Sequence, residues 1–454
     1  MGQIPSGTTD LAADETVFRR HSADLRKAIK GQVLLPGDPE FAAASKPWNT
    51  AVIQRARALV VVNDAEDAAA LVRYAREAGL TISVQPNGHG AADDLDGVVL
   101  VRTGRLNELR VDPEAGIARI GSGVQWGQVL AKTEAHNLIG LAGSSADVNV
   151  TGFTLGGGIS WFGRKYGLAV DSVIAFDIVD TDGYMNRVTA QSDPELFWAI
   201  RGGGGDFALV TAIEFRLYPA PVIFGGQMLW PVDRGPEVMA AFREVTLQAP
   251  DELSVWFNQI LVPGGPSFTG ISTAFLGSSA EGRALLAPFD RIGGMVVDSR
   301  AVTRISKLDR IASEPTEPCS FYTHAELLTD IDSNAADALT ASIAPLIHVE
   351  VRHLGGRFTH PSDSAAGPLE SPYLMIAIGI DSIAQELGAE PAGTIQHPLG
   401  GLRPVLAGRK PFTFLAPGET ASRAFNAESI ARLRDIKRRR DPHNVIRSNY
   451  PVLN

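Results

Sequence analysis

Gln85-Pro86-Asn87-Gly88-His89-Gly90 decides how this chain is read. It comes after an apolar, β-type run, Leu80-Thr81-Ile82-Ser83-Val84, and two glycines flank its single histidine. Glycine permits backbone conformations and close approaches that a Cβ forbids. Such a turn can bring main chain against a ligand while holding an imidazole at a fixed point. A histidine in a polar turn is more often solvated than functional, so the weight comes from two further glycine-rich stretches downstream. The first of these runs Gly143-Ser144-Ser145-Ala146-Asp147-Val148-Asn149-Val150-Thr151-Gly152 and on to Gly156-Gly157-Gly158-Ile159. The other, Arg201-Gly202-Gly203-Gly204-Gly205-Asp206, leads into a strand-like run at 208–215 that contains Val210. Three permissive loops in one region point to a large, flat, phosphate-bearing cofactor held mainly by backbone groups.

The flanking sequence supplies a scaffold for those loops. Residues 58–62 read as a strand. Asp64 caps a helix that buries Ala68, Leu71, Val72 and Ala75, and Gly79 ends it. With the strand leading into Gln85 this makes a β-α-β unit. Short strands are predicted at 98–101, 106–111 and 117–120, and helices at 124–136 and 194–200. After Pro219 long strand-like runs take over, at 223–230, 253–262, 270–276, 346–354, 373–380 and 411–415. Ser254, Trp256, Asn258 and Ile260 alternate with Val255, Phe257 and Gln259, the pattern of one strand with two distinct faces. The expectation is an α+β chain whose second half is a mostly antiparallel sheet with helices on one face. Its 454 residues leave room for two domains, because single cores stop growing at roughly 250–300 residues. Residues 1–30 are polar and expected at the periphery.

Composition excludes several classes. The chain is 44% hydrophobic and 20% charged, ordinary globular material, and its net charge of −10 argues against a nucleic-acid partner. The basic run Lys437-Arg438-Arg439-Arg440 ends a helix-like segment with Ile430, Leu433 and Ile436 on one face, where cations complement the helix dipole. Cys319 is the only cysteine, so no intrachain disulfide is possible. No apolar run long enough for a bilayer occurs, and the default expectation is a cytoplasmic protein with no membrane partner. Gly121-Ser122-Gly123 lacks the third glycine of a dinucleotide fingerprint. Neither a phosphate-loop Gly-Lys-Ser/Thr nor a Gly-x-Ser-x-Gly elbow is present. On a strand, His348 and Glu350 share a face but His353 falls opposite, which defeats a three-ligand metal site.

In order and spacing, the three loops resemble the p-cresol methylhydroxylase/vanillyl alcohol oxidase flavoprotein superfamily, and within it the bacterial branch of berberine-bridge-enzyme-like oxidases. The resemblance covers most of residues 45–220. It returns at 428–454, where Asp441-Pro442-His443-Asn444-Val445-Ile446-Arg447-Ser448-Asn449-Tyr450 matches the closing segment. It implies a two-domain FAD-binding fold with an antiparallel-sheet substrate domain: residues 1–220 bind FAD, 221–425 bind substrate, and 426–454 return to the first part. It implies FAD joined covalently through its 8α position to His89, with Val84, Gln85, Pro86, Asn87, Gly88 and Gly90 around the link. Ser144, Ser145, Asn149, Val150, Thr151, Gly152, Gly158 and Ile159 would line the pyrophosphate and ring, with Val210 and Asn449 also at the flavin. Many relatives carry a second link through a cysteine where this chain has Ser145, so one link is implied. Val150 falls at the position that gates oxygen, and oxygen-reactive relatives tend to carry valine there.

The function so implied is transfer of a hydride from a small organic substrate to the flavin, with molecular oxygen as acceptor and hydrogen peroxide as product, by a monomer or homodimer. A flavin dehydrogenase, a redox-neutral cyclase and a non-catalytic flavin carrier stay open. One departure matters. Many relatives place a tyrosine, and an asparagine two residues on, in a strand near the C-terminus; here Pro411-Phe412-Thr413-Phe414-Leu415-Ala416 has neither. Amine oxidation, or a base elsewhere, is thereby left more open than alcohol oxidation. Tyr322 and His324 are taken as the catalytic candidates, with His348, Glu350 and Tyr373 as further polar groups on strands of the second half.

Overall fold

The computed structural model describes residues 24–93, 95–388 and 400–453. Its first sheet has the order Gln32–Leu34, Ala58–Val61, Val99–Arg102, Ile82–Val84; the first pairing is antiparallel and the other two are parallel. The helix Ala65–Glu77 makes the crossover. Asp64 caps it by accepting from the Asp67 N–H, and Ala68, Leu71, Val72 and Ala75 are buried as the periodicity requires. Val99–Arg102 inserts between the two strands of this β-α-β unit, so they are not neighbours. The second sheet is antiparallel, in the order Leu109–Asp112, Ile117–Gly121, Leu209–Arg216, Val173–Val179, Met185–Val188.

The third sheet is the large antiparallel one. Its order is Val297–Asp298, Ile223–Pro231, Phe268–Phe275, Leu253–Ile260, His348–His353, Tyr373–Gly379, Tyr322–Leu328, with Ala301–Thr303 also paired to Ile223–Pro231. Alternation gives it two faces. Val255, Phe257, Val349, Val351, Met375 and Ala377 pack in one core with Val238, Phe242 and Leu339 from the helices Gly235–Gln248 and Ser333–Thr340. Trp256, Leu374 and Ile376 belong to a different core, shared with Val150, Ile159, Trp161 and Val210 of the glycine-rich half. One face of this sheet therefore looks at the loops.

Two expectations need correction, and a third segment holds more than its sequence reading gave. Residues 411–415 are not a strand: Phe412–Phe414 is a 3₁₀ turn, closed by Phe414 N–H to the Pro411 carbonyl at 2.9 Å, and Phe412 packs on Phe425 and Tyr450. Pro411 lacks the N–H that a ladder needs. Residues 106–108 are not strand either, because the Leu106 N–H turns back to the Thr103 carbonyl at 2.8 Å and pairing starts at Leu109. The basic run contains one buried cation. Ile430, Leu433 and Ile436 are buried in the helix Ala427–Arg440 as expected, but so is Lys437, only 1% exposed.

Lys437 fastens the end of the chain to its first half. Its ammonium donates to the Asp206 carbonyl and to the Asp441 carboxylate, each at 2.8 Å, and to the Ile446 carbonyl. The Asp206 carboxylate, fully buried, accepts from Ser448 N–H and Val452 N–H at 2.6 Å. The strand edge at Ile82 then takes on the returning chain: Ile82 N–H bonds the Val445 carbonyl at 2.8 Å, and Arg447 N–H bonds the Ile82 carbonyl at 2.9 Å. Among the described residues, no helix is long and apolar enough to cross a membrane. Removing one member of a buried ion pair typically costs about 3–5 kcal/mol. Lys437→Met should lower the unfolding free energy by about that much in urea denaturation; a change under about 1 kcal/mol would contradict the role assigned to it.

Candidate cofactor and substrate site

The loop after Ile82–Val84 turns at Gly88, whose φ of +78° suits glycine and where a Cβ would meet Pro47 at 2.8 Å. That close approach lets 47–49 lie across the loop, with Trp48 N–H bonded to the Asn87 carbonyl at 3.0 Å. The Trp48 ring stacks on the His89 imidazole, with centroids 4.3 Å apart and planes 22° from parallel. Both His89 nitrogens are buried and neither has a protein partner. Desolvation lowers the His89 pKa to about 4, which leaves a neutral imidazole at physiological pH. A buried imidazole with two unbonded nitrogens is costly unless something else satisfies it.

Other sequence-predicted residues are fixed by contacts of their own. Asn87 donates to the Asp147 carbonyl at 2.8 Å, tying the first loop to the second. Asn149 caps the turn Val150–Leu155 by accepting from Gly152 N–H at 3.0 Å, and its amide donates to the Ser122 and Val124 carbonyls. Val150 is fully buried and shares its core with Ile159 and Val210. Gly158 has φ of +79°, and a Cβ there would strike Phe153 and Ala169. The C-terminal return delivers Asn449, whose amide donates to the Gly90 carbonyl at 2.7 Å and whose Oδ1 lies 3.3 Å from Gln85 Nε2. Arg102 holds Gln85 by its carbonyl and side chain, and burial lowers the Arg102 pKa to about 10. Ser83, Ser122, Thr151, Ser448 and Tyr450 also carry buried hydroxyls without protein partners. Orphaned side-chain polar atoms and glycine-lined approaches together fit a cofactor rich in hydrogen-bonding atoms.

The facing wall is the large sheet. Trp256 stacks on Trp161 with ring centroids 3.4 Å apart and planes within 10°. The Arg352 guanidinium sits 3.8 Å from the Trp256 ring centroid, bonds Glu350 at 2.5 Å, and lies 3.5 Å from Ser144 Oγ. His348 Nε2 is 3.0 Å from Asn258 Oδ1. Trp256 and Arg352 were not among the sequence candidates. The signal was available, since Arg352 shares its strand face with His348 and Glu350.

Strand register sets the side that Tyr322 and His324 occupy. They lie opposite Gly379 and Ala377, and directly opposed residues share a face, so both point to the helix-covered side with Met375. Thr323, Ala325 and Leu327 occupy the other side of that strand. His324 instead neighbours Glu326 at 3.6 Å; burial and then Lys410 lower its pKa to about 4. The Tyr373 hydroxyl is 3.1 Å from Thr246 Oγ1, and His353 faces Arg164. Cys319, remote in sequence, pairs with Asn49 and so stands one residue from Trp48. Burial pushes its thiol pKa up.

Residues 56–189 match a family described as "FAD binding domain". Over 94% of this chain and 97% of the relative, the sequence is 27% identical to the (R)-6-hydroxynicotine oxidase of Paenarthrobacter nicotinovorans. The fold matches BBE-like 1 of Physcomitrella patens with a TM-score of 0.82, at 20% identity, over 96% of this chain and 98% of that one. It also matches the glucooligosaccharide oxidase of Acremonium strictum, which carries a 6-S-cysteinyl, 8α-N1-histidyl FAD. There the TM-score is 0.80 and the identity 20%, over 94% of this chain and 97% of that one. With its loops, orphaned histidine and two-faced sheet, this chain is an FAD-dependent oxidoreductase that shares the fold of these two solved structures.

Proposed function

We propose that the chain is an oxidase acting on a small organic molecule, with FAD held by a single covalent link to His89 and oxygen as the acceptor. Bound there, FAD would take a hydride equivalent from a substrate C–H bond and pass the electrons to oxygen as peroxide. The observation that carries this reading is His89, neutral, clamped under Trp48 and left with two buried, unbonded nitrogens. A neutral imidazole has a free lone pair for a bond to the cofactor, whereas an imidazolium has none. Gln85, Asn87, Asn149 and Asn449, whose side-chain amides tie the loops together, would shape the space for the group, with close backbone approach at Gly158. Ser145, lacking a thiol, would leave the histidyl link alone. In this reading residues 1–220 and 426–454 bind FAD and 221–425 bind substrate, which would lie against Trp256, Glu350 and Arg352. The oxidase named among the sequence relatives supports the acceptor assignment.

Acid precipitation of wild type should leave the yellow colour in the pellet, whereas His89→Ala should release all its flavin to the supernatant; colour retained by His89→Ala would refute the link. A second expected outcome concerns Val150, fully buried beside Thr151 and Gly152. One added methylene in a close-packed site fills space sized for a diatomic molecule. Val150→Leu should slow stopped-flow reoxidation of the photoreduced enzyme by roughly tenfold, about 1.4 kcal/mol of barrier. Sluggish reoxidation of the wild type would overturn the oxidase reading in favour of a dehydrogenase.

A further inference from the structure

A cleft of about 580 Å³ lies outside the site described above. It is lined by Leu327 and Thr329 at the end of one sheet strand, by the segment 365–372, by Arg409 and by Ser429 in the first turn of the helix Ala427–Arg440. Ala366, Leu369, Ala424 and Phe425 also line a smaller pocket of about 20 Å³, so the two spaces adjoin across those four residues. Gly156, Gly157 and Gly158, with Leu168, Pro411 and Phe412, complete the small pocket. Leu168, Leu369 and Phe425 share their core with Val150, Ile159 and Val210, the residues implied at the flavin.

The turn Phe412–Phe414 separates this space from the substrate wall. Phe414 faces Arg352, whose guanidinium lies 5.6 Å from its ring centroid, whereas Phe412 packs on Phe425 and Tyr450. Between them Thr413 rests on the glycine segment, where a Cβ at Gly156 would meet it at 3.1 Å. Gly157, at φ of +102°, keeps the pocket open, since a Cβ there would stand 3.6 Å from Ala366 and 3.9 Å from Leu168. A space of this size holds one small molecule, and a water in it would need about two to four polar partners. Every side chain that lines it is apolar. The pocket therefore suits an apolar diatomic molecule better than water.

We propose that the cleft and the small pocket form the route by which dioxygen reaches the flavin, on the side of the turn opposite the substrate wall. This deepens the oxidase reading and rests on it: dioxygen takes up two electrons and two protons and leaves as hydrogen peroxide. A product still held against Trp256 then does not obstruct the oxidative step.

Xenon, an apolar stand-in for oxygen, tests the route without turnover. Crystals of the holoenzyme under xenon pressure should show a xenon atom between Gly157, Leu168, Ala366 and Phe425, and crystals of Ala366→Leu should not. In stopped flow, photoreduced Ala366→Leu and Ala424→Leu should react with oxygen about tenfold more slowly than wild type, because the added side chains fill the pocket. Both should match wild type with ferricyanide, which takes electrons without entering the pocket. Ser429→Leu, which adds bulk to the wide cleft alone, should match wild type with either acceptor. An empty wild-type pocket under xenon, or unchanged oxygen rates in both Ala366→Leu and Ala424→Leu, would overturn the route and leave the oxidase reading standing. Equal slowing with ferricyanide would also overturn it, since the substitutions would then act on the flavin and not on access. Sluggish reaction of the wild type with oxygen would sink the oxidase reading on which the route rests.

Discussion

A lysine ammonium taken out of water, that of Lys437, sets the arrangement on which the flavin-binding half depends. A buried cation must be met by fixed acceptors, and here they come from three separate stretches: the four-glycine loop at Asp206, the helix end at Asp441, and the returning chain at Ile446. Once those are fixed, the returning chain can only run along the edge of Ile82–Val84. That in turn places Asn449 against Gln85 and Gly90. A site assembled from residues more than 350 positions apart is thus held by polar groups that have nowhere else to bond.

The second constraint is the two-residue period of the large sheet. It sends Val255, Phe257 and Met375 under the helices and leaves Trp256, Glu350 and Arg352 facing the loops. The same rule puts Tyr322 and His324 on the strand face shared with Ala377 and Met375. Specificity in such a wall rests on a few polar groups set in aromatic surface. Here those are an arginine stacked on tryptophan and its carboxylate partner.

Much of this was legible in the residues. The β-α-β unit, the Asp64 cap, the helix Pro194–Ile200 and the alternation in Leu253–Ile260 arise from local rules, because each is decided within one or two turns of chain. The glycine-flanked His89 was legible for the same reason. What was not legible depended on distant partners. Residues 411–415 have β-type composition, but Phe412 is captured by Phe425 and Tyr450 and the segment closes into a turn. Lys437 reads as one of four cations complementing the helix dipole until Asp206 and Asp441 are seen around it.

The central claim is that His89 is the attachment point of an FAD held between these loops. Tandem mass spectrometry of a proteolytic digest tests it most directly, because it reads which residue carries the flavin mass. The account predicts one flavinylated peptide, containing Gln85 to Gly90, with the modification on His89 and unmodified peptides covering Ser145 and Cys319. Flavin mass on Cys319, on any other residue, or on none would contradict it.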